Sequence, residues 1–267
     1  MKRRFFIFGV LMLSAFILPA QDWARTKLEK SSRHQEWVKV KNGSRELQCF
    51  VVYPEVKDKA TTIVMIHEIF GLSDWAREMA DELAEAGYIV VAPDLLSGLG
   101  PNGGGSDAFT NQSAVTKAVS MLPPEQVTAD LNAAADYAAK IPAGNGKVVV
   151  AGFCWGGGQS FRFATNNKDV KAALVFYGPP PSVDDMAKIN CPVYGFYAGN
   201  DARITASLED TKKAMKGANK KFEAVVYDGA GHGFMRAGED PAGTADNKKA
   251  RDAAWKRLLA LLKKLGK

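Results

Sequence analysis

Val148 to Gly158 reads VVVAGFCWGGG, and the rest of the chain is organised around it. A β-branched run stops at Gly152, a cysteine follows two residues on, and three glycines come almost at once. The pattern predicts a strand, a tight turn and the start of a helix. The spacing Gly152-x-Cys154-x-Gly156 is the cysteine form of a G-x-S-x-G turn, which carries a nucleophile on a strained bend between strand and helix. Small neighbours are needed there because a side chain at either glycine would collide with adjacent backbone. The same stretch also fits a glycine-rich connection with Cys154 packed as a small hydrophobe, so the other strand ends must decide.

The 267 residues are 46% hydrophobic and 24% charged, an ordinary globular composition that excludes a disordered chain. Residues 1–20 stand apart from the rest. Lys2, Arg3 and Arg4 open them, an apolar run from Phe5 to Leu18 follows, and Ala20 is a small residue at the end. That layout predicts a secretory signal peptide cleaved after Ala20, and hence a periplasmic or secreted protein with no stable membrane insertion after cleavage. The alternative, an uncleaved anchor, is disfavoured because the run is short for a bilayer of ~30 Å. Losing the three leader cations takes the net charge from +6 to +3, too modest an excess for a nucleic-acid partner. The three cysteines, Cys49, Cys154 and Cys191, and the histidines at 34, 67 and 232 have no metal-ligand spacing, so neither a metal nor a cofactor is expected. Cys49 and Cys191 read as buried thiols, with a disulfide between them left open.

Residues 21–33 are polar and are expected to form a flexible arm, leaving 34–267 as one domain. Two extended runs flank Asn42-Gly43, a strong hairpin signal. Thr61 to Ile66 is then a continuous apolar run of the kind buried on both faces of a parallel sheet. From there helical and strand patterns alternate: helices over 74–86, 125–140, 155–164, 206–215 and 245–265, strands over 88–92, 147–151, 172–176, 193–197 and 222–227. Between Pro93 and Pro124 the chain is rich in Gly, Asn and Ser, with a weakly helical piece near 114–121, and reads as a lid or binding loop. The expected fold is α/β, a mostly parallel central sheet with helices on both faces, entered through an antiparallel N-terminal hairpin.

In such sheets reactive groups gather at the carboxyl ends of strands. Asp201 follows the strand over 193–197, and His232 lies in a glycine-rich loop after the strand over 222–227. An imidazole beside a thiol of pKa ~8.5 can take its proton and stabilise the thiolate as an ion pair, while a carboxylate on the other ring nitrogen fixes the tautomer. Asp201 fits the carboxylate role, although it could equally cap a turn, and Asp228 is its rival. A third loop, His67 to Leu72, follows the first central strand, where the backbone amide of Ile69 would join that of Trp155 as an oxyanion donor. Glu68 would then lie close to Cys154.

Taken together, HEIFGL, GYIVVAPDLL, GFCWGG, the aspartate at a late strand end and GAGHGF resemble the dienelactone hydrolases (carboxymethylenebutenolidases), from about Thr61 to Phe234. The resemblance implies an α/β-hydrolase fold, a Cys154–His232–Asp201 triad, no metal, and a gating role for Glu68, which would touch the resting thiol. It implies for Arg236 contact with a substrate carboxylate, against the plainer reading of a surface charge. One departure is that Leu95 to Met121 holds no arginine; Lys117 is the cation there and the candidate for a second substrate contact. The expected activity is cysteine-dependent hydrolysis of a small-molecule carboxylic ester or lactone by a monomer. The competing readings are a thiol-redox protein, which lacks a C-x-x-C spacing, and a non-catalytic binding protein on the same scaffold.

Overall fold

The structure is a computed structural model that describes residues 22–266, so the leader expected over 1–20 lies outside the described residues. Eight strands form one sheet: β1 (Gln35–Asn42), β2 (Arg45–Val52), β3 (Ala60–Ile66), β4 (Ile89–Pro93), β5 (Gly144–Phe153), β6 (Ala173–Phe176), β7 (Val193–Ala198) and β8 (Phe222–Tyr227). Their order is β1-β2-β4-β3-β5-β6-β7-β8. β1, β2 and β4 pair antiparallel, with Asn42 opposite Arg45 across the Gly43-Ser44 turn, and β4 through β8 are parallel.

Among the described residues ten α-helices surround the sheet: α1 (Asp22–Glu29), α2 (Asp74–Glu85), α3 (Gln112–Ser120), α4 (Pro124–Lys140), α5 (Trp155–Asn166), α6 (Val183–Met186), α7 (Ala202–Thr205), α8 (Leu208–Gly217), α9 (Phe234–Glu239) and α10 (Ala245–Gly266). Every residue of β3 is buried, because successive side chains enter opposite layers. Val64 and Ile66 join Val119 of α3, Leu131 of α4, Phe161 of α5 and Met215 of α8. Ile63 and Met65 join Ala24 of α1, Met79 of α2, Phe234 of α9 and Leu258 of α10. Each such side chain contributes roughly 1.5–3 kcal/mol of burial, so the central strands are the rigid base from which the site loops project. Among the described residues no helix is long and apolar enough to cross a membrane.

Two expectations are corrected here. Residues 22–29 are not a loose arm but a helix whose Ala24 is fully buried, and Lys27 Nζ lies 2.5 Å from both Glu78 and Glu239. Arg33 adds a forked ion pair to Asp81 on α2. Trp23 and Leu28 pack against the core beside Ala24, and distant carboxylates add ion pairs. The segment after β4 is likewise tied down, since the Asp94 carboxylate accepts from both the amide and the hydroxyl of Ser106 at 2.7 Å. The Ser106 hydroxyl oxygen accepts in turn from Leu72 N–H at 3.0 Å, which fastens this segment to the loop after β3. Cys49 and Cys191 are buried free thiols, so they form no disulfide.

Candidate active site

Cys154 connects β5 to α5 with φ 56° and ψ −118°, a left-handed conformation that a non-glycine residue holds at a cost of about 1–3 kcal/mol. The surroundings over-determine it. Its N–H donates to Phe176 C=O at 3.0 Å, and its own carbonyl accepts from the N–H groups of Gly157 and Gly158, the first turn of α5. A Cβ on Gly152 would overlap the Gly156 carbonyl, and one on Gly156 would overlap the carbonyls of Ile66 and His67. Two glycines therefore let strand, helix and the loop after β3 meet at one point.

His232 comes to this point from the loop after β8, and Asp201 from the end of β7. The loops are stitched together by Gly199 N–H to Tyr227 C=O, Asn200 N–H to Ala230 C=O, and the Asn200 side chain to Gly229 C=O. His232 Nδ1 lies 2.5 Å from Asp201 Oδ2 and its Nε2 lies 3.0 Å from Cys154 Sγ. The buried carboxylate only accepts, so Nδ1 carries the hydrogen and Nε2 is left to receive the thiol proton. Asp228, the rival acid, is exposed and makes no bond to the ring.

The backbone amides of Trp155 and Ile69 face the sulfur. Burial, and next the Glu68 carboxylate, push the Cys154 thiol up; the two amides and Arg203 oppose this. Burial and the Glu68 charge thus work against the ion-paired thiolate expected from the histidine alone. Glu68 is buried, and it accepts from Arg236 Nε at 2.7 Å on one oxygen and from the Tyr177 hydroxyl at 3.4 Å on the other. Burial also pushes its carboxyl up, with Arg236 holding it down. Glu68 thus has Arg236 as its partner, whereas the thiol faces His232. Arg236, expected to reach a substrate carboxylate, is clasped between Glu68 and the ring of Phe70, 5.0 Å away. Lys117 stands exposed on α3 and forms no ion pair among the described residues; it is not drawn into this network.

Two neighbours escaped the sequence reading. Tyr177, the first residue after β6, is fully buried at φ 41° and meets the His232 ring edge-on at 5.1 Å. Arg203, two residues past Asp201, brings Nη2 to 3.5 Å from His232 Nδ1. Both sit at carboxyl ends of strands, and that position was the available signal. Among the described residues the carboxylates of Glu78, Glu82 and Glu239 are close enough together to hold a metal ion. They already enclose Lys27 and Arg251, and the cluster brings Glu78 and Glu82 of α2 to Glu239 at the end of α9 far from His232.

The dienelactone hydrolase family model matches residues 47–266. A candidate carboxymethylenebutenolidase of Escherichia coli K12 is 32% identical over 220 residues, 76% of this chain and 77% of that one. Another from Methylorubrum extorquens is 35% identical over 210 residues, covering 74% and 69%. The crystal structure of a candidate dienelactone hydrolase from Klebsiella pneumoniae superposes with a TM-score of 0.75 at 27% identity, covering 87% of this chain and 99% of the other. Sheet order, match length and these relatives agree: the chain is a hydrolase that belongs to the dienelactone hydrolase family of the α/β-hydrolase superfamily.

Proposed function

We propose that the protein hydrolyses small carboxylic esters or lactones through an acyl-enzyme on Cys154. The observation that supports this most directly is the continuous line from Asp201 through His232 to the Cys154 sulfur, with two backbone amides facing that sulfur. When a carbonyl carbon reaches Sγ, His232 Nε2 takes the thiol proton and the sulfur attacks. The carbonyl oxygen becomes an oxyanion facing the amides of Ile69 and Trp155. Asp201 supports the imidazolium, which then hands its proton to the leaving alkoxide. Water, deprotonated by the same nitrogen, attacks the thioester and releases the acid and the Cys154 thiolate, which regains its proton. Burial and, after it, the Glu68 charge push the Cys154 thiol up, which favours forming the nucleophile at the moment of reaction.

The carboxymethylenebutenolidase names of the relatives point to lactones. In this chain Arg236 is already occupied by Glu68 and the segment 95–121 lacks an arginine, which favours small esters and lactones in general over a substrate needing two arginine contacts. Cys154→Ala and His232→Ala are expected to abolish turnover of p-nitrophenyl acetate, and mass spectrometry of the wild type should catch a transient acyl adduct on Cys154. Unchanged turnover in either variant overturns the reading.

We also propose export to the periplasm or beyond. The support is the basic start and apolar run of residues 1–20. N-terminal sequencing of the secreted fraction should begin at Gln21.

A further inference from the structure

His67 has no part in the scheme above, yet it is fully buried beside it. We infer that His67 is a positioning residue that sets the direction of the Ile69 amide, one of the two backbone amides facing Cys154. The inference rests on the reading of those amides as oxyanion donors.

The geometry is specific. His67 Nδ1 lies 2.7 Å from the Glu68 carbonyl oxygen. A carbonyl only accepts, so Nδ1 carries the hydrogen and donates it. That carbonyl and the N–H of Ile69 belong to one peptide unit, which is planar and trans, so fixing the direction of one fixes the other. Gly71 N–H donates to the same oxygen at 3.2 Å, and the two donors together leave the peptide little freedom to rotate. Drawing electron density to the oxygen also makes the Ile69 N–H a stronger donor.

The same ring also touches the residue that carries the second amide. The His67 ring stacks on the indole of Trp155, with centroids 5.7 Å apart and planes 14° from parallel. Trp155 is the first residue of α5 and supplies the other N–H at the sulfur. One imidazole therefore bonds the peptide of the first donor and braces the side chain of the second. Among the described residues His67 Nε2 is buried with no hydrogen-bond partner, so the polar contacts of the ring are made through Nδ1. Burial pushes the imidazole down, against the raising effect of Asp94, which keeps the ring neutral in the single tautomer this bond requires.

The test compares wild type, His67→Phe and His67→Gln on p-nitrophenyl acetate. Phe keeps a ring against Trp155 but has no donor, whereas Gln can donate to the carbonyl. For His67→Phe, kcat should fall about ten- to a hundredfold with KM within about twofold, as expected when an oxyanion donor is misdirected. Inhibition by a trifluoromethyl ketone, which adds Sγ to its carbonyl carbon and leaves an oxyanion, should weaken in parallel. Alkylation of Cys154 by iodoacetamide forms no oxyanion and should keep its rate. His67→Gln should recover most of kcat.

Undiminished kcat in His67→Phe, or alkylation slowed as much as turnover, overturns the inference. If His67→Phe does not fold, 15N NMR of the wild-type imidazole decides: the Nδ1–H tautomer with near-wild-type kinetics in His67→Gln supports it, and the Nε2–H tautomer overturns it. A wild type whose turnover survives Cys154→Ala would instead defeat the acyl-enzyme reading, whatever His67 does.

Discussion

Helix α9 joins two polar clusters built on different plans. At its first turn lie His232, Glu68 and Arg236; at its last residue Glu239 meets Glu78, Glu82, Lys27 and Arg251. In the first cluster each carboxylate has its own partner, Asp201 on His232 and Glu68 on Arg236, and the imidazole keeps 32% of its side-chain surface open. In the second, three carboxylates crowd around two cations, and burial together with the Glu239 charge pushes Glu78 up to about 9, so it retains a proton at neutral pH. The difference is instructive. A cluster proposed to pass protons to a substrate keeps its charges paired and its imidazole accessible; a cluster that fastens a helix can be closed and overcrowded with acid.

The contrast can be broken at its proton-passing end first. Asp201→Asn leaves an acceptor but frees the wrong tautomer of His232, and kcat is expected to fall by on the order of 10⁴. Asp228→Asn, at an exposed carboxylate off the ring, should leave kcat within about twofold. Equal losses in the two would remove Asp201 from its role.

At the fastening end the largest effect is expected on stability. Arg251 is partly buried and bonds Glu82 while facing Glu239. Arg251→Met should cost about 3 kcal/mol, because it strands buried carboxylates. Denaturant titration would read this, with kcat at 25 °C little changed. An equal loss of kcat would mean that the two ends of α9 are coupled.

A further test sharpens the distinction through pH. Glu78 has an ordinary value of 4.5 and a folded value of about 9, so between them the folded protein binds the extra proton. The stabilisation from this group is complete below about 4.5 and is lost as pH rises towards 9, with a slope of at most about 1.4 kcal/mol per pH unit. Glu78→Gln should flatten that slope; an unchanged slope would mean the proton is not held there.

Most of the active end could be read from sequence, and most of the fastening end could not. The four segments GFCWGG, HEIFGL, AGND and GAGHGF each carry their chemistry within a few residues, and the rule that parallel strands deliver loops to one edge assembles them. Lys27 and Glu239 are 212 positions apart, and nothing local in either reveals the other. Helices α6, α7 and α9 have four to six residues, too short to display a helical period. The family resemblance did point to Arg236, but that Glu68 already holds it depends on a contact across 168 residues. Tyr177 was hidden because its role comes from a backbone twist at the end of β6.

The crowding at Gly152 and Gly156 has a hereditary side. A glycine codon becomes an alanine codon by one base change, the commonest kind of step available to a gene. At these two positions that step would press a methyl group into the carbonyl of Gly156 or those of Ile66 and His67. Descendants of this chain can therefore vary what lines the pocket, but the bend that presents the sulfur has to be inherited unaltered, through two residues that carry no functional group.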